Sequence, residues 1–204
     1  MPQTASAVTT DRFDHAASYA DYLASIVVNR DQFDHYAGTH RLTADDAAFF
    51  TTVGGLPSGP ARMLVIAEAW CPDVYRGMPV LAQIAEAAGM TMKVVGRDNN
   101  PDIMDEFLLN GTARAVPVAV FYTLDHRYIA HWTERPAVAQ AEITRIKAEF
   151  ATVHPDVNLK APGPDGMKVM KGFFDTRLPQ LYPLWQRETV REIRELLAAA
   201  VPET

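Results

Sequence analysis

Residues 62–79 read RMLVIAEAWCPDVYRGMP, and this stretch decides how the rest of the chain is interpreted. The apolar run at 61–70 is bounded by a Gly/Pro loop before it and by Pro72 after it, which predicts a short, buried, central strand. A helical pattern follows from about Val74 to Ala88. The only cysteine of the chain, Cys71, therefore lies where a buried strand ends and a helix begins.

Downstream, strands and helices continue to alternate. TMKVVG (91–96) predicts the next strand, and NNPDIMDEFLLNG (99–111) predicts a helix with a proline in its first turn. Two apolar runs, 116–124 and 126–132, are separated only by a tight turn and predict an antiparallel hairpin. A helix over 137–150 follows. This order predicts an α/β fold with a central mixed sheet flanked by helices.

The flanking segments look different. An apolar stripe, Tyr19, Leu23, Ile26 and Val27, predicts one amphipathic helix over 14–30, and Thr43 caps a second helix before the break at 54–60. Residues 152–184 are rich in proline and glycine and predict a long excursion, and the last segment predicts an amphipathic helix that completes the monomer core. We expect a helical N-terminal extension (1–55), a core (56–151) and an excursion with an extra C-terminal helix (152–204), in one structural domain.

Composition excludes several classes of function. The chain has 204 residues and a formal net charge of −6, without a basic run, which argues against nucleic acid or an anionic membrane as the main partner. A lone cysteine excludes an internal disulfide and a Cys-rich zinc module, and the six scattered histidines give no metal-ligand spacing. The N-terminus lacks the pattern of a secretory signal and no apolar run is long enough to span a bilayer, so we expect a cytoplasmic protein that binds no metal and no cofactor.

Cys71 is the candidate reactive group. Unpaired amides and the dipole at a helix N-terminus favour the thiolate and lower the pKa of a cysteine there. Asp73, two residues later, acts in the opposite direction, because a nearby carboxylate opposes a second negative charge. The sequence leaves the sign of the net pKa shift open. The alternative is a buried, inert thiol.

The stretch from about Arg62 to Phe150 resembles thioredoxin and the thioredoxin-like superfamily. Trp70 precedes the cysteine as in the active-site turn of that family, and Pro79 follows it by eight residues, as does the proline that kinks the active-site helix. The Val116–Pro117 pair matches the cis-proline loop, and the later hairpin and helix match the last two strands and the final helix.

The resemblance implies a role for each site residue. The active-site motif comprises Trp70, Cys71, Pro72, Asp73 and Val74, with Cys71 as the catalytic residue. It also implies a cis Pro117 beside the thiol. The backbone of Val116 would then be free to pair with an extended peptide or thiol. The turn after the hairpin would border the site, where Thr133, Glu134 and Arg135 form a groove for a substrate or partner.

The departures from the family pattern limit the chemistry. The second cysteine of the family motif is replaced by Val74, so Cys71 has no resolving thiol within the chain. The buried acid that would assist proton transfer is replaced by Val65, and strand alternation puts Glu68 on the opposite face of the sheet.

Three functions remain open. The first is a monothiol thiol–disulfide oxidoreductase in which Cys71 is resolved by a low-molecular-weight thiol or the thiol of a partner protein. The second is a non-catalytic binding module that uses the groove around Trp70, Val116 and Pro117. The third is a thiol-dependent reductase or transferase for a small anion, with Arg76, Arg97 or Arg135 as the positive charge. We expect a monomer, with a homodimer as the lesser possibility.

Overall fold

The computed structural model describes residues 6–201. Residues 1–5 and 202–204, at the outer ends of the two flanking segments, lie outside the described residues. Residues 1–5 are also the start of the N-terminal stretch that lacks the pattern of a secretory signal. Its helices are α1 (Thr10–His15), α2 (Tyr19–Ser25), α3 (Arg30–Ala37), α4 (Ala44–Gly54), α5 (Pro72–Ala88), α6 (Pro101–Met104), α7 (Ala137–Val153), α8 (Gly163–Asp175) and α9 (Tyr182–Ala200). Its strands are β1 (Ala17–Ser18), β2 (Arg62–Ala67), β3 (Thr91–Gly96), β4 (Val118–Tyr122) and β5 (Tyr128–Thr133).

The five strands form one mixed sheet in the order β1-β3-β2-β4-β5. Strand β2 lies at its centre, parallel to β3 and antiparallel to β4, and β4 and β5 form the antiparallel hairpin. The predicted α/β class and mixed sheet are confirmed. Because β2 is the central strand and ends at Ala67, Cys71 lies near the middle of the sheet, at the end where β2 and β3 terminate.

Strand β2 is apolar because it is covered on both faces. Met63, Leu64, Val65 and Ile66 are all fully buried. Helix α5 packs against α3, α4 and α9, and α9 also contacts β5. The apolar stripe of α9, which includes Val190, Ile193 and Leu197, joins the main core, as the sequence predicts.

One place in the fold differs from the sequence prediction. The family resemblance predicts that the helix over 137–150 is the final helix of the core. The structure instead places α9 against β5 and α5, while α7 packs in two smaller clusters with α8 and the start of α9. The order of elements along the chain does not predict this packing, because α7 and α8 come between the β4–β5 hairpin and α9, the helix that packs against it.

The single helix predicted over 14–30 is wrong. Residues 17–18 instead form β1, which pairs with β3, and the Ser18 side chain accepts a hydrogen bond from the Asp21 amide to start α2. A strand pairing and a new helix cap therefore interrupt the helical pattern. Val27, a member of the predicted stripe, is 94% exposed and lies in the loop before α3, which the sequence analysis did not predict.

Two other boundaries also differ. The helix predicted over 99–111 ends at Met104, and Leu109 and Ala113 then form a bridge around a turn in which Asn110 and Gly111 have positive φ. The excursion contains α8, which has Pro162 as its N-cap and Pro164 in its first turn, and which buries Phe173. Proline in a first turn is compatible with a helix, so proline content alone overstates the loop.

No helix among residues 6–201 combines the length and apolar character needed to cross a membrane.

Candidate functional site

Cys71 is the N-cap residue of α5, immediately after the central strand. Its amide donates to the Glu68 carbonyl at 3.0 Å, and its carbonyl accepts from the amides of Val74 and Tyr75 at 3.1 and 3.2 Å. Its thiol donates to the Val116 carbonyl, with a sulfur–oxygen distance of 3.5 Å. The side chain is half-buried. The sulfur is therefore held at the junction of α5 and the loop before β4.

Burial raises the pKa of the Cys71 thiol above its ordinary value. Asp73 acts in the same direction, whereas the amides of Val74 and Asp73 and the guanidinium of Arg76 favour the thiolate. These amides do not form a cap hydrogen bond to the sulfur. The loss of solvation therefore outweighs the helix N-terminus, and the shift favours the protonated thiol. This sets the sign that the sequence left open.

The loop before β4 brings Val116 and Pro117 against the cysteine. The Val116–Pro117 peptide bond is cis, and both residues are buried. The Pro117 carbonyl accepts a hydrogen bond from the Glu134 amide at 2.7 Å, which ties this loop to the turn after β5. The Val116 carbonyl is occupied by the thiol, while its amide donates to no group of the described chain. One backbone donor is thus left beside the sulfur.

Four charged side chains, two acidic and two basic, lie on one side of Cys71. We name them the charged network: Asp73, Arg76, Glu134 and Arg135. The Asp73 carboxylate accepts from Arg76 at 2.5 Å and from Arg135 at 2.9 Å. Arg135 also pairs with Glu134. The Asp73 and Arg76 side chains are only 10% and 12% exposed. The network is mostly buried and its charges sum to zero.

Aromatic rings cover the buried end of the network. The Arg76 guanidinium lies 4.5 Å from the ring centroid of Tyr182 and 5.5 Å from that of Trp185, and it donates to the Tyr182 hydroxyl at 3.0 Å. These two residues begin α9. The other aromatic pair of the excursion, Phe173 and Phe174, packs on Phe150 instead. Tyr182 and Trp185 therefore bring the C-terminal segment against the site.

The charged network bears on the small-anion hypothesis. All three arginines proposed as the positive charge are already paired: Arg76 and Arg135 within the network, and Arg97 with Asp98 at 2.8 Å. An anion at Cys71 would have to displace a carboxylate of the protein. The geometry therefore gives no surplus positive charge next to the thiol.

The other side of Cys71 is apolar and open. Trp70 is 51% exposed, and Arg97 lies 5.0 Å from its ring centroid. The Asn29 side-chain amide donates to the Ala69 carbonyl at 3.0 Å, which holds the loop before α3 beside Trp70. In that loop Val27 and Val28 are 94% and 47% exposed. We name Val27, Val28 and Trp70 the apolar patch.

A residue that the sequence analysis missed is Tyr22. Its hydroxyl is buried and has no hydrogen-bond partner within the described residues. Burial raises its pKa, and the charges of Glu68, Tyr19 and Cys71 act in the same direction. Tyr22 has the spacing of the apolar stripe, three residues after Tyr19 and four before Ile26, so its sequence position gave no sign of a role other than packing.

The remaining predicted site residues have simpler positions. Pro72 is exposed at the start of α5, and Val74 is buried in the core. Thr133 ends β5 opposite Val118. The Glu68 carboxylate accepts from the Asp98 amide at 2.9 Å, so it caps the loop after β3 rather than replacing the missing acid.

Comparison with known proteins gives the family and the fold. A family model described as thioredoxin matches residues 16–149, starting well before the core boundary expected at residue 56. No curated protein matches the sequence. A protein of unknown function from Pseudomonas aeruginosa has a similar structure, with a TM-score of 0.58 at 12% identity over 92% of this chain and 95% of that one. An HIV epitope scaffold is also similar, with a TM-score of 0.59 at 14% identity over 92% and 96%. At these identities the likeness shows the fold alone, and it is the family match over two thirds of the sequence that shows that the chain belongs to the thioredoxin-like superfamily.

Proposed function

We propose that this protein is a monothiol thiol–disulfide exchange protein in which Cys71 forms a mixed disulfide with an external sulfur. The observation that carries the proposal is the position of the sulfur: it is half-exposed at the N-terminus of α5 and 3.5 Å from the carbonyl before a cis proline. The backbone amide of Val116, which donates to no group among residues 6–201, supports docking of an extended chain next to the thiol.

The exchange has two balanced steps. Cys71 first loses its proton to solvent, and the thiolate attacks one sulfur of an external disulfide, so that a bond forms to Cys71 and the other sulfur leaves as a thiolate. An external thiolate then attacks the mixed disulfide, forms a new external disulfide and restores Cys71. The second sulfur must be external because the chain contains no other cysteine.

The surroundings of the thiol favour a partner-protein thiol over a small acidic thiol such as glutathione. The arginines around Cys71 are neutralised by carboxylates, so they leave no charge to hold the two carboxylates of glutathione. The apolar patch instead offers area to an apolar peptide segment.

The test uses two disulfides, oxidised glutathione and the disulfide dimer of a short peptide with apolar residues around its cysteine. Intact mass of the native chain should show one adduct, formed faster with the peptide, and Cys71→Ser should show none. If denatured protein reacts with both disulfides and native protein with neither, the exchange function is contradicted.

A second candidate is a non-catalytic binding module. The observation that favours it is the combination of an exposed apolar patch with a thiol whose pKa is raised by burial. The same peptide with serine in place of cysteine separates the two functions. The module predicts that this peptide binds Cys71→Ser as tightly as the native chain and that Trp70→Asp abolishes binding. Val116 is only 3% exposed, so a charge there would disturb the core and is a poorer probe.

A further inference from the structure

A groove of about 780 Å³ lies between the α3–α4 connection, α4 and α9. It shares no lining residue with the Cys71 site or the charged network. Four arginines line it: Arg41, Arg187, Arg191 and Arg194. A groove of this size is in the range that accommodates small molecules.

The charges of the groove sum to zero once Asp45 is counted, but they are unevenly distributed. Arg191 pairs with Glu188 and Glu195 at 2.8 and 2.7 Å. Arg194 pairs with Asp45 at 2.6 Å and Asp46 at 3.0 Å. The three carboxylates that line the groove, Asp46, Glu188 and Glu195, are therefore all engaged. Arg41 and Arg187 form no ion pair within residues 6–201, so the positive charge of the groove is concentrated at these two side chains, while the excess negative charge lies around Arg191 and Arg194.

The two unpaired guanidiniums are available as donors. Nη1 of Arg41 donates to the carbonyls of Ala37 and His40 at 2.6 and 2.7 Å, which fixes the side chain at the end of α3 and leaves Nη2 and Nε without an acceptor in the described chain. Arg187 is exposed and its side chain donates to no described group. Two guanidiniums that line one groove and have no carboxylate partner of their own offer donors of the kind that bind a phosphate group.

His40 adds a third polar group to the same groove. Its Nε2 is buried and has no hydrogen-bond partner in the described part of the chain. Burial lowers its pKa, Asp46 opposes this shift, and Arg187 and Arg41 add to it, so the shift favours the neutral imidazole. A neutral imidazole that carries its proton at Nε2 is a donor, and an anion has to enter below the groove surface to accept from it.

We propose that this groove binds a phosphate-bearing small molecule, with Arg41 and Arg187 as the phosphate ligands and His40 as an additional donor. The remaining lining includes Phe49, Pro183 and Val190, which would contact an apolar or aromatic part of the ligand. Free polyphosphate and a nucleotide both carry phosphate groups, but only the nucleotide has an aromatic base that could contact these apolar residues.

The test measures binding to the full chain by calorimetry at fixed ionic strength, with inorganic pyrophosphate and with adenosine diphosphate as probes. We expect saturable binding that falls by about tenfold or more in Arg187→Gln and in Arg41→Gln, which is the effect of losing one charge-assisted hydrogen bond. Tighter binding of the nucleotide would identify a nucleotide as the ligand type, and equal binding would identify free polyphosphate.

The controls separate the groove from general charge effects. Arg145→Gln removes an exposed arginine of α7 that pairs with Glu142, and it should leave binding unchanged. Cys71→Ser should also leave it unchanged, so failure of the exchange function does not affect this test. Arg187 is exposed and donates to no described group, so Arg187→Gln remains informative if Arg41→Gln destabilises the chain. The proposal is overturned if neither probe binds, or if Arg187→Gln binds as tightly as the native chain.

Discussion

The two sides of Cys71 are built from neighbouring residues and are opposite in character. On one side the charged network is mostly buried, its four charges are paired, and aromatic rings from α9 cover it. On the other side the apolar patch is exposed and contacts solvent. Trp70 and Asp73 are three residues apart, yet one lies in the open and the other is locked in ion pairs.

This difference separates structural from binding roles. A buried ion pair is costly to break because its partner remains buried and uncompensated. An exposed apolar side chain contributes little to stability and is available to a partner. We therefore expect the charged network to hold α5, the turn after β5 and α9 together, and the apolar patch to determine what reaches the thiol.

The largest expected effect comes from Asp73→Asn. This variant leaves Arg76 and Arg135 with a neutral partner in a mostly buried site, so the free energy of unfolding should fall by about 3 kcal/mol. Chemical denaturation measures the change. Asp98→Asn is the matched control, because Asp98 pairs with Arg97 at 2.8 Å but is 58% exposed, and its variant should change stability by less than about 0.5 kcal/mol. Equal effects of the two variants would show that the network is not a structural unit.

A smaller effect is expected from Tyr182→Phe. The substitution keeps the ring over Arg76 and removes only the hydroxyl that accepts from it at 3.0 Å, so stability should fall by about 1 kcal/mol. Tyr128→Phe serves as the control, since Tyr128 is exposed and, among the described residues, its hydroxyl forms a hydrogen bond only with His131. If Tyr182→Phe lowers the free energy of unfolding by no more than Tyr128→Phe does, the hydrogen bond between α9 and Arg76 does not stabilise the fold.

The smallest stability effect is expected on the open side. Val27→Ser alters a side chain that is 94% exposed, and the free energy of unfolding should change by no more than about 0.5 kcal/mol. The same variant should slow exchange with the apolar peptide disulfide and leave exchange with oxidised glutathione unchanged. A loss of stability comparable to that of Asp73→Asn would remove the distinction between the two sides.

Much of the core could be predicted because its signals are local. The apolar run of β2, the proline-bounded start of α5 and the hairpin of β4 and β5 each depend on neighbouring residues. The N-terminal segment could not be predicted in the same way. Strand β1 exists only because β3 offers a pairing partner, and α9 displaces α7 from the core through contacts between residues distant in sequence.

The site divides along the same line. The position of Cys71 and its neighbours follows from the local motif, and the structure places Val116 and Pro117 against it. The pairing of Asp73 with Arg135, the cover provided by Tyr182 and the loop of Val27 depend on tertiary contacts that no sequence pattern encodes. The sign of the Cys71 pKa shift also depends on burial, which the sequence leaves undetermined.

The alkylation rate of native Cys71 by iodoacetamide as a function of pH tests the central claim most directly. Burial raises the pKa of this thiol, so the thiolate fraction at neutral pH is small and falls about tenfold for each pH unit below the pKa. We predict that the native chain is alkylated at Cys71, with a rate that keeps rising beyond pH of about 8.5, the reference value for a free thiol. No alkylation of the folded chain at any pH would contradict a reactive Cys71.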